Sequence, residues 1–147
     1  MLAFFQLKWN EPFGISLTAR ESRMKNYLYP SNQWVNQVNQ WLSNVEDSDL
    51  SRILGIKKHK LIGSKKLLFV VGKYANEFTS DFEYNKQACW ISFPMLKKLM
   101  AQLNEINIDN PLQEIYNFMP IFREEAKKSK FNFSETTYKI EDYTIIF

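Results

Sequence analysis

The chain has very little of what builds the common chemical sites. Its 147 residues include one cysteine, one histidine and four glycines. A single thiol excludes an intrachain disulfide and fits a reducing compartment. One histidine and one cysteine cannot furnish a structural zinc site, so no metal is expected on nitrogen or sulfur. Gly14, Gly55, Gly63 and Gly72 never cluster. That excludes a phosphate-cradling P-loop and a dinucleotide fingerprint, and no cofactor is expected. No apolar run approaches membrane-spanning length. The opening MLAFFQLKW lacks a positive leader and is broken by Gln6 and Lys8, which is not the pattern of a secretory signal. The expectation is a cytoplasmic protein with no membrane partner. Richness in Lys, Asn, Ile and Phe suits an AT-rich microbial or viral genome.

What the chain does have is aromatic rings: 12 Phe, 7 Tyr and 4 Trp. Rings in such number fill a core, supply a protein interface, or offer platforms on which bases stack. An apolar fraction of 45% with 24% charged residues describes a folded globular chain. At this length one domain over 1–147 is expected. The net charge of +3 is ordinary but unevenly spread. Residues 1–75 carry 11 Lys and Arg against 5 Asp and Glu, whereas residues 76–147 carry 8 against 11. The first half therefore has the composition of a positive face.

The densest cationic stretch is Lys57 to Tyr74, KKHKLIGSKKLLFVVGKY. Leu67–Val71 is apolar at every position and reads as a central strand buried on both faces. Gly63-Ser64 before it has the composition of a two-residue turn, which predicts a hairpin pairing Lys57–Ile62 with Lys65–Val70. Lys57, Lys58, Lys60, Lys65 and Lys66 then have two readings. They neutralise phosphates, or they guard an exposed edge strand against unwanted pairing. A second candidate is TARESRMKNYLYP, Thr18 to Pro30, read as a loop. It interleaves Arg20, Arg23 and Lys25 with Tyr27 and Tyr29, charge for a backbone and rings for bases. Alternatively, its tyrosines pack beneath the loop.

The remaining elements follow from period and caps. Leu2–Trp9 reads as a strand, Glu11–Gly14 as a turn and Ile15–Thr18 as a second strand of a hairpin. Ser31 is placed to cap a helix reaching Asn44, with Trp34, Val35, Val38, Trp41 and Leu42 at helical spacing. Its other face, including Gln33, Asn36, Gln37 and Gln40, is amide without charge, a candidate protein-binding face. A short helix holding Leu50, Ile53 and Leu54 ends at Gly55. Ala75–Gln87 reads as a loop and Ala88–Ile91 as a strand with Cys89 and Trp90 on opposite faces. Ser92 and Asn110-Pro111 begin two further helices. Pro120 requires a kink or restart in the second. The tail alternates as two strands around Glu141-Asp142. The expected fold is α+β: a mixed or antiparallel sheet of N-terminal, central and C-terminal strands, packed by about four helices in a single compact domain.

Catalytic constellations are sparse. Asp81 and Glu83 share a face if they lie on a strand. However, the Glu-x-Lys that a metal-dependent nuclease would use occurs only as Glu125-Ala126-Lys127, in a helix end. Cys89 and His59 are the one available nucleophile and base, and a cysteine on an apolar strand is better read as core. Arg52 and His59 stand in Arg-x6-His spacing, which resembles the active-site motif of HEPN ribonucleases. The resemblance covers these two positions alone. That family is a helical bundle, whereas His59 falls in the expected hairpin, so no fold or activity is carried over.

Taken together, the sequence leans away from an enzyme. The expectation is a non-enzymatic binding protein, an accessory or inhibitor subunit of a nucleic-acid-handling assembly whose partner is RNA, DNA or a nucleoprotein complex. The alternatives are a protein-only interaction module using the amide helix face, and a small ribonuclease using Arg52 and His59.

Overall fold

The computed structural model describes residues 1–8, 17–73, 83–128, 137–140 and 143–146, with the backbone alone at 17–21, 24, 121–128 and in the last two ranges. The elements in order are β1 (Leu2–Lys8), α1 (Leu17–Asn44), α2 (Asp47–Leu54), a one-turn 3₁₀ helix (Lys58–Lys60), β2 (Lys66–Gly72), β3 (Cys89–Ser92), α3 (Phe93–Glu105), α4 (Pro111–Lys128), β4 (Thr137–Ile140) and β5 (Tyr143–Ile146). The fold is α+β, with four α-helices among the described residues.

The sheet differs from the expected one. β1, β2 and β3 form a three-stranded sheet in that order, parallel throughout, with Phe5 opposite Phe69 and Phe69 opposite Cys89. Parallel neighbours need a crossover, and α1 with α2 supplies it between β1 and β2. β2 is therefore central, with both edges occupied. No edge remains for Lys57–Ile62, and the predicted hairpin does not form; that segment is a 3₁₀ turn instead. β4 and β5 pair antiparallel as predicted, but as a separate two-stranded sheet, not as part of the first one. The turn predicted between them lies outside the described residues.

The prediction of a doubly buried central strand holds. Leu68 and Val70 face one core with Tyr27, Leu28, Val35 and Leu42 of α1, Leu50 of α2, Leu61 and Trp90. Leu67, Phe69 and Val71 face a second core with Cys89 and Ile91 of β3, Leu99 and Leu103 of α3 and Ile115, Phe118 and Met119 of α4. The sheet is thus the middle layer between two pairs of helices, and Cys89 and Trp90 do fall on opposite faces.

Helix α1 starts much earlier than the caps suggested. Leu17 and Thr18 already belong to it, and the rest of the predicted second strand, with the Glu11–Gly14 turn, lies outside the described residues. The helix runs through Pro30, and Ser31, expected as an N-cap, is buried inside it. The Ser31 hydroxyl donates to the Tyr27 carbonyl at 2.6 Å, a back-bond along the helix. An interior proline costs about 3 kcal/mol. Burying Tyr27 and Leu28 against the sheet offsets it, at about 1.5–3 kcal/mol for each large apolar side chain. Local chemistry marked a boundary there, and tertiary burial overrode it.

Asp47 or Ser48 is the expected cap of α2, but Asp47 is its first residue and Glu46 precedes it without a side-chain cap bond; three other helix ends fall where predicted. Gly55 closes α2 in the left-handed region at φ 64°. Ser92 Oγ accepts from the Met95 N–H at 3.3 Å, with Pro94 in the first turn of α3. Pro111 opens α4, which continues past Pro120. No helix among the described residues is long and apolar enough to cross a membrane.

Candidate nucleic-acid interface

The basic turn is built between α2 and β2. Leu61 is the one apolar residue of its first half that enters the core, 1% exposed. Around it the backbone closes on itself. The Lys60 and Leu61 N–H groups donate to the Lys57 and Lys58 carbonyls at 2.9 Å each, and the Ser64 N–H donates to Leu61 O at 2.9 Å. Ser64 Oγ donates to the Lys60 carbonyl at 2.6 Å. Gly63, at φ 70°, takes a backbone conformation that a side chain would strain. Beyond the turn, Leu2 N–H donates to Lys65 O at 2.8 Å, which ties its end to β1.

With Leu61 inward, Lys57, Lys58, His59 and Lys60 all project into solvent, followed by exposed Lys65. The ion pairs among the described residues are Arg52 with Asp49 at 2.9 Å and Lys66 with Asp47 at 3.9 Å. Lys57, Lys58, Lys60 and Lys65 therefore face water with no carboxylate of the described residues on them. Lys66 is different: partly buried, it is held by Asp47 at the start of the central strand.

The second predicted segment lies in α1. It is helix, not loop, and the helix sorts its residues. Tyr27 is buried at 5% exposure, edge-on to Trp90 with ring centroids 5.9 Å apart, so it is core and offers no stacking face. Tyr29 is 68% exposed. With Lys25, Asn26, Pro30, Asn32 and Glu83 it lines an open groove of about 560 Å³. Arg23 is exposed, and the Arg20 side chain lies outside the described residues. Lys25 precedes the end of α1 by 19 residues, roughly 28 Å at 1.5 Å per residue, and α2 stands between that end and the basic turn. No hydrogen bond or ion pair among the described residues joins the two segments.

The amide face of α1 divides into two rows. Asn32, Asn36 and Asn39 hold the segment 83–87. Asn32 Nδ2 donates to the Glu83 carbonyl at 3.0 Å, and its Oδ1 accepts from the Asn85 N–H at 2.7 Å. Asn85 Nδ2 donates to Asn36 Oδ1 at 2.7 Å, and Asn39 Nδ2 donates to Gln87 Oε1 at 2.9 Å. Gln33, Gln37 and Gln40 remain exposed. The same segment is fastened to the rest of the fold. Trp90 Nε1 donates to the Asn85 carbonyl at 2.8 Å, and the Tyr116 hydroxyl to the Gln87 carbonyl at 2.8 Å. Burial, and then the neighbouring Cys89, raise the Tyr116 hydroxyl above its ordinary 10.0. The sequence reads 75–87 as a loop; 83–87 is irregular backbone as expected, and 75–82 lies outside the described residues, but the fastening of 83–87 to α1 is not part of that reading. Asparagines at 32, 36 and 39, one helical stripe, were the available signal.

Among the described residues, Arg52 and His59 share no hydrogen bond or ion pair. Arg52 is exposed on α2 and engaged by Asp49, and His59 is exposed on the 3₁₀ turn. The layered parallel sheet around them is not a helical bundle. Cys89 is buried in the α3/α4 core while His59 faces solvent, so they form no nucleophile–base pair. Glu83 lies in irregular backbone, and Asp81 is outside the described residues. No group of three or more metal-ligating side chains occurs among the described residues. Comparison with protein-family models, with characterised proteins and with solved structures finds no match to this chain.

Proposed function

We propose that this chain is a non-enzymatic binding protein, an accessory or inhibitor subunit of a nucleic-acid-handling assembly, with the turn between α2 and β2 as its phosphate-contacting surface. The observation that carries this reading is the set of four lysines held outward around the Leu61 anchor, none paired with a carboxylate among the described residues. Guarding a strand edge does not explain them. Lys57, Lys58 and Lys60 are on a 3₁₀ turn, and the strand that follows is central. Like charges crowded within nine residues repel one another, and a phosphate backbone relieves that repulsion while releasing its own counterions. Lys25 and Tyr29, on their separate groove, provide a second contact for a strand long enough to reach it.

Fluorescence anisotropy with single-stranded RNA, single-stranded DNA and duplex DNA tests the reading. Four phosphate contacts give a log–log salt slope of about −3.6 on duplex and about −2.8 on single strands. A fourfold rise in salt then weakens duplex binding about 150-fold. Changing Lys57, Lys58 and Lys60 to Ser together leaves a duplex slope of about −0.9. Absence of binding at low salt, or an unchanged slope in the triple variant, would sink the proposal.

A specific observation favours a second reading, a protein-interaction module. Trp41 is 38% exposed beside the glutamine row, although Trp34 packs partly into the core. Exposed indole rings are frequent anchors of protein interfaces. Retention of a protein partner that is lost on Trp41→Ala and kept by the lysine variant would favour this reading over the first.

A further inference from the structure

Strand β1 is an edge strand without the usual protection. It pairs on one side with β2, and among the described residues no strand pairs with its other side. Two hydrogen bonds fix which groups look outward. The Leu2 N–H donates to Lys65 O, and the Lys8 carbonyl accepts from the Lys73 N–H. Main-chain groups alternate along a strand, so even-numbered residues address β2. Ala3, Phe5 and Leu7 turn their N–H and C=O groups to the open edge. Edge strands are normally blunted by lysine, proline, a bulge or inward charge. Here the outward positions carry methyl, phenyl and isobutyl groups, and the strand's one charge, Lys8, is at its end.

Ala3 packs partly against the α3/α4 core, but the side chains at the other two positions are uncovered. Phe5 is 42% exposed and Leu7 65%, although both belong to the sheet face that α3 and α4 cover over β2 and β3. Phe5 is nonetheless ordered by its neighbour: its ring stacks on Phe69 at 5.0 Å and 17°. On the opposite face Trp41, 38% exposed, meets Phe4 edge-on at 6.4 Å. Both sides of the open edge therefore carry aromatic surface, with Gln6 and Lys8 beyond Phe4 on the second side.

We propose that β1 pairs antiparallel with β1 of a second copy of this chain, about a twofold axis through Phe5. The pattern is self-complementary in one register. Centred on Phe5, all three outward residues meet outward residues. Phe5 faces Phe5 of the other copy, and Ala3 faces Leu7, small against large. Each is a hydrogen-bonded pair exchanging both bonds, roughly six main-chain bonds in all. Phe69, Phe5 and their counterparts then form one row of stacked rings across the junction. Lys8 falls opposite Leu2, so no like charges within the strand face each other. A charged partner strand would find nothing to pair with at Ala3, Phe5 or Leu7. An isologous contact of this kind closes at two copies and leaves no further edge of the same kind. It rests on one strand and a few side chains, at the small end of interface sizes, so dissociation on the order of micromolar is expected. None of the lysines of the basic turn takes part.

Register-specific cross-linking of the full chain tests this. Oxidation of Phe5→Cys yields a covalent dimer, because directly opposed residues are about 5.5 Å apart between Cα atoms, within disulfide range. Ala3→Cys alone and Leu7→Cys alone do not cross-link. Mixing those two variants restores a covalent dimer. Wild type does not cross-link, since its Cys89 is buried. In parallel, sedimentation of wild type across the micromolar range shows a doubling of mass. Leu7→Lys, at an exposed position, shifts the midpoint at least tenfold to higher concentration while circular dichroism is unchanged. Wild type remaining a monomer throughout, or equal cross-linking of all three single variants, would overturn the proposal. A monomer whose Ala3, Phe5 and Leu7 amides are protected from exchange would assign the edge to a segment of the same chain instead.

Discussion

Leu61 and Ile62 are adjacent, similar in size, and placed oppositely by the fold, which makes them a sharp test of how the basic turn is held. Leu61 is 1% exposed and packs in the α1/α2 core; Ile62 is 66% exposed. Truncating a fully buried leucine to alanine costs about 2.7–5.0 kcal/mol, the transfer of its carbons plus the cavity left behind. Taking about 3 kcal/mol and a urea dependence of about 2 kcal/mol per molar, Leu61→Ala lowers the unfolding midpoint by roughly 1.5 M. Ile62→Ala loses little buried surface and stays within about 0.5 kcal/mol of wild type. Leu61→Met, which nearly conserves volume, costs less than about 1.5 kcal/mol. Urea unfolding of the three variants beside wild type, followed by circular dichroism, measures the differences. Equal costs for Leu61→Ala and Ile62→Ala would refute the reasoning, since they would mean the turn is not plugged into the core by Leu61. A larger loss at Ile62 would restore the hairpin, with the side chains exchanged.

Two further outcomes follow from the segment 83–87. Asn85→Ala removes the donation to Asn36 and the acceptance from the Gln87 N–H, and is expected to cost about 1–2 kcal/mol in thermal or urea unfolding. Unchanged stability, with unchanged amide exchange across 83–87, would show that these side-chain bonds do not hold the segment to α1. Tyr116 has its pKa raised in the folded chain, so the neutral hydroxyl is the form the fold prefers. The sign follows: its contribution is fully present below the ordinary 10.0 and is lost as pH rises through the raised folded value. Tyr116→Phe is therefore expected to cost about 1 kcal/mol at neutral pH, from the lost bond to the Gln87 carbonyl, and to lose less stability than wild type above about pH 10. Parallel alkaline profiles for the two proteins would contradict it.

Much of the fold was legible because it rests on local or periodic signals. Leu67–Val71 declared a doubly buried strand by being apolar at every position, and the structure packs it from both faces. Gly55, Ser92 and Pro111 mark helix ends through backbone chemistry that needs no distant partner, and each marks one. The alternating tail gave its two strands for the same reason. The positive charge of Lys57 to Lys66 was likewise plain, since charge is a property of composition.

Tertiary structure decided the rest. Whether β1 meets β2 parallel or antiparallel depends on the crossover between them, which no local pattern encodes. Taking both edges of β2 dissolved the expected hairpin and turned its lysines from a strand into a 3₁₀ turn. Pro30 and Ser31 have the local chemistry of a helix boundary, yet the burial of Tyr27 and Leu28 carried α1 through them. That same helix assigned opposite fates to two tyrosines that looked equivalent, Tyr27 to the core and Tyr29 to solvent. Burial is a property of where elements meet, and residues far apart in the sequence set it. For this chain the sequence determined which residues carry charge, caps and apolar bulk; only their packing decided which of them face the core and which face solvent.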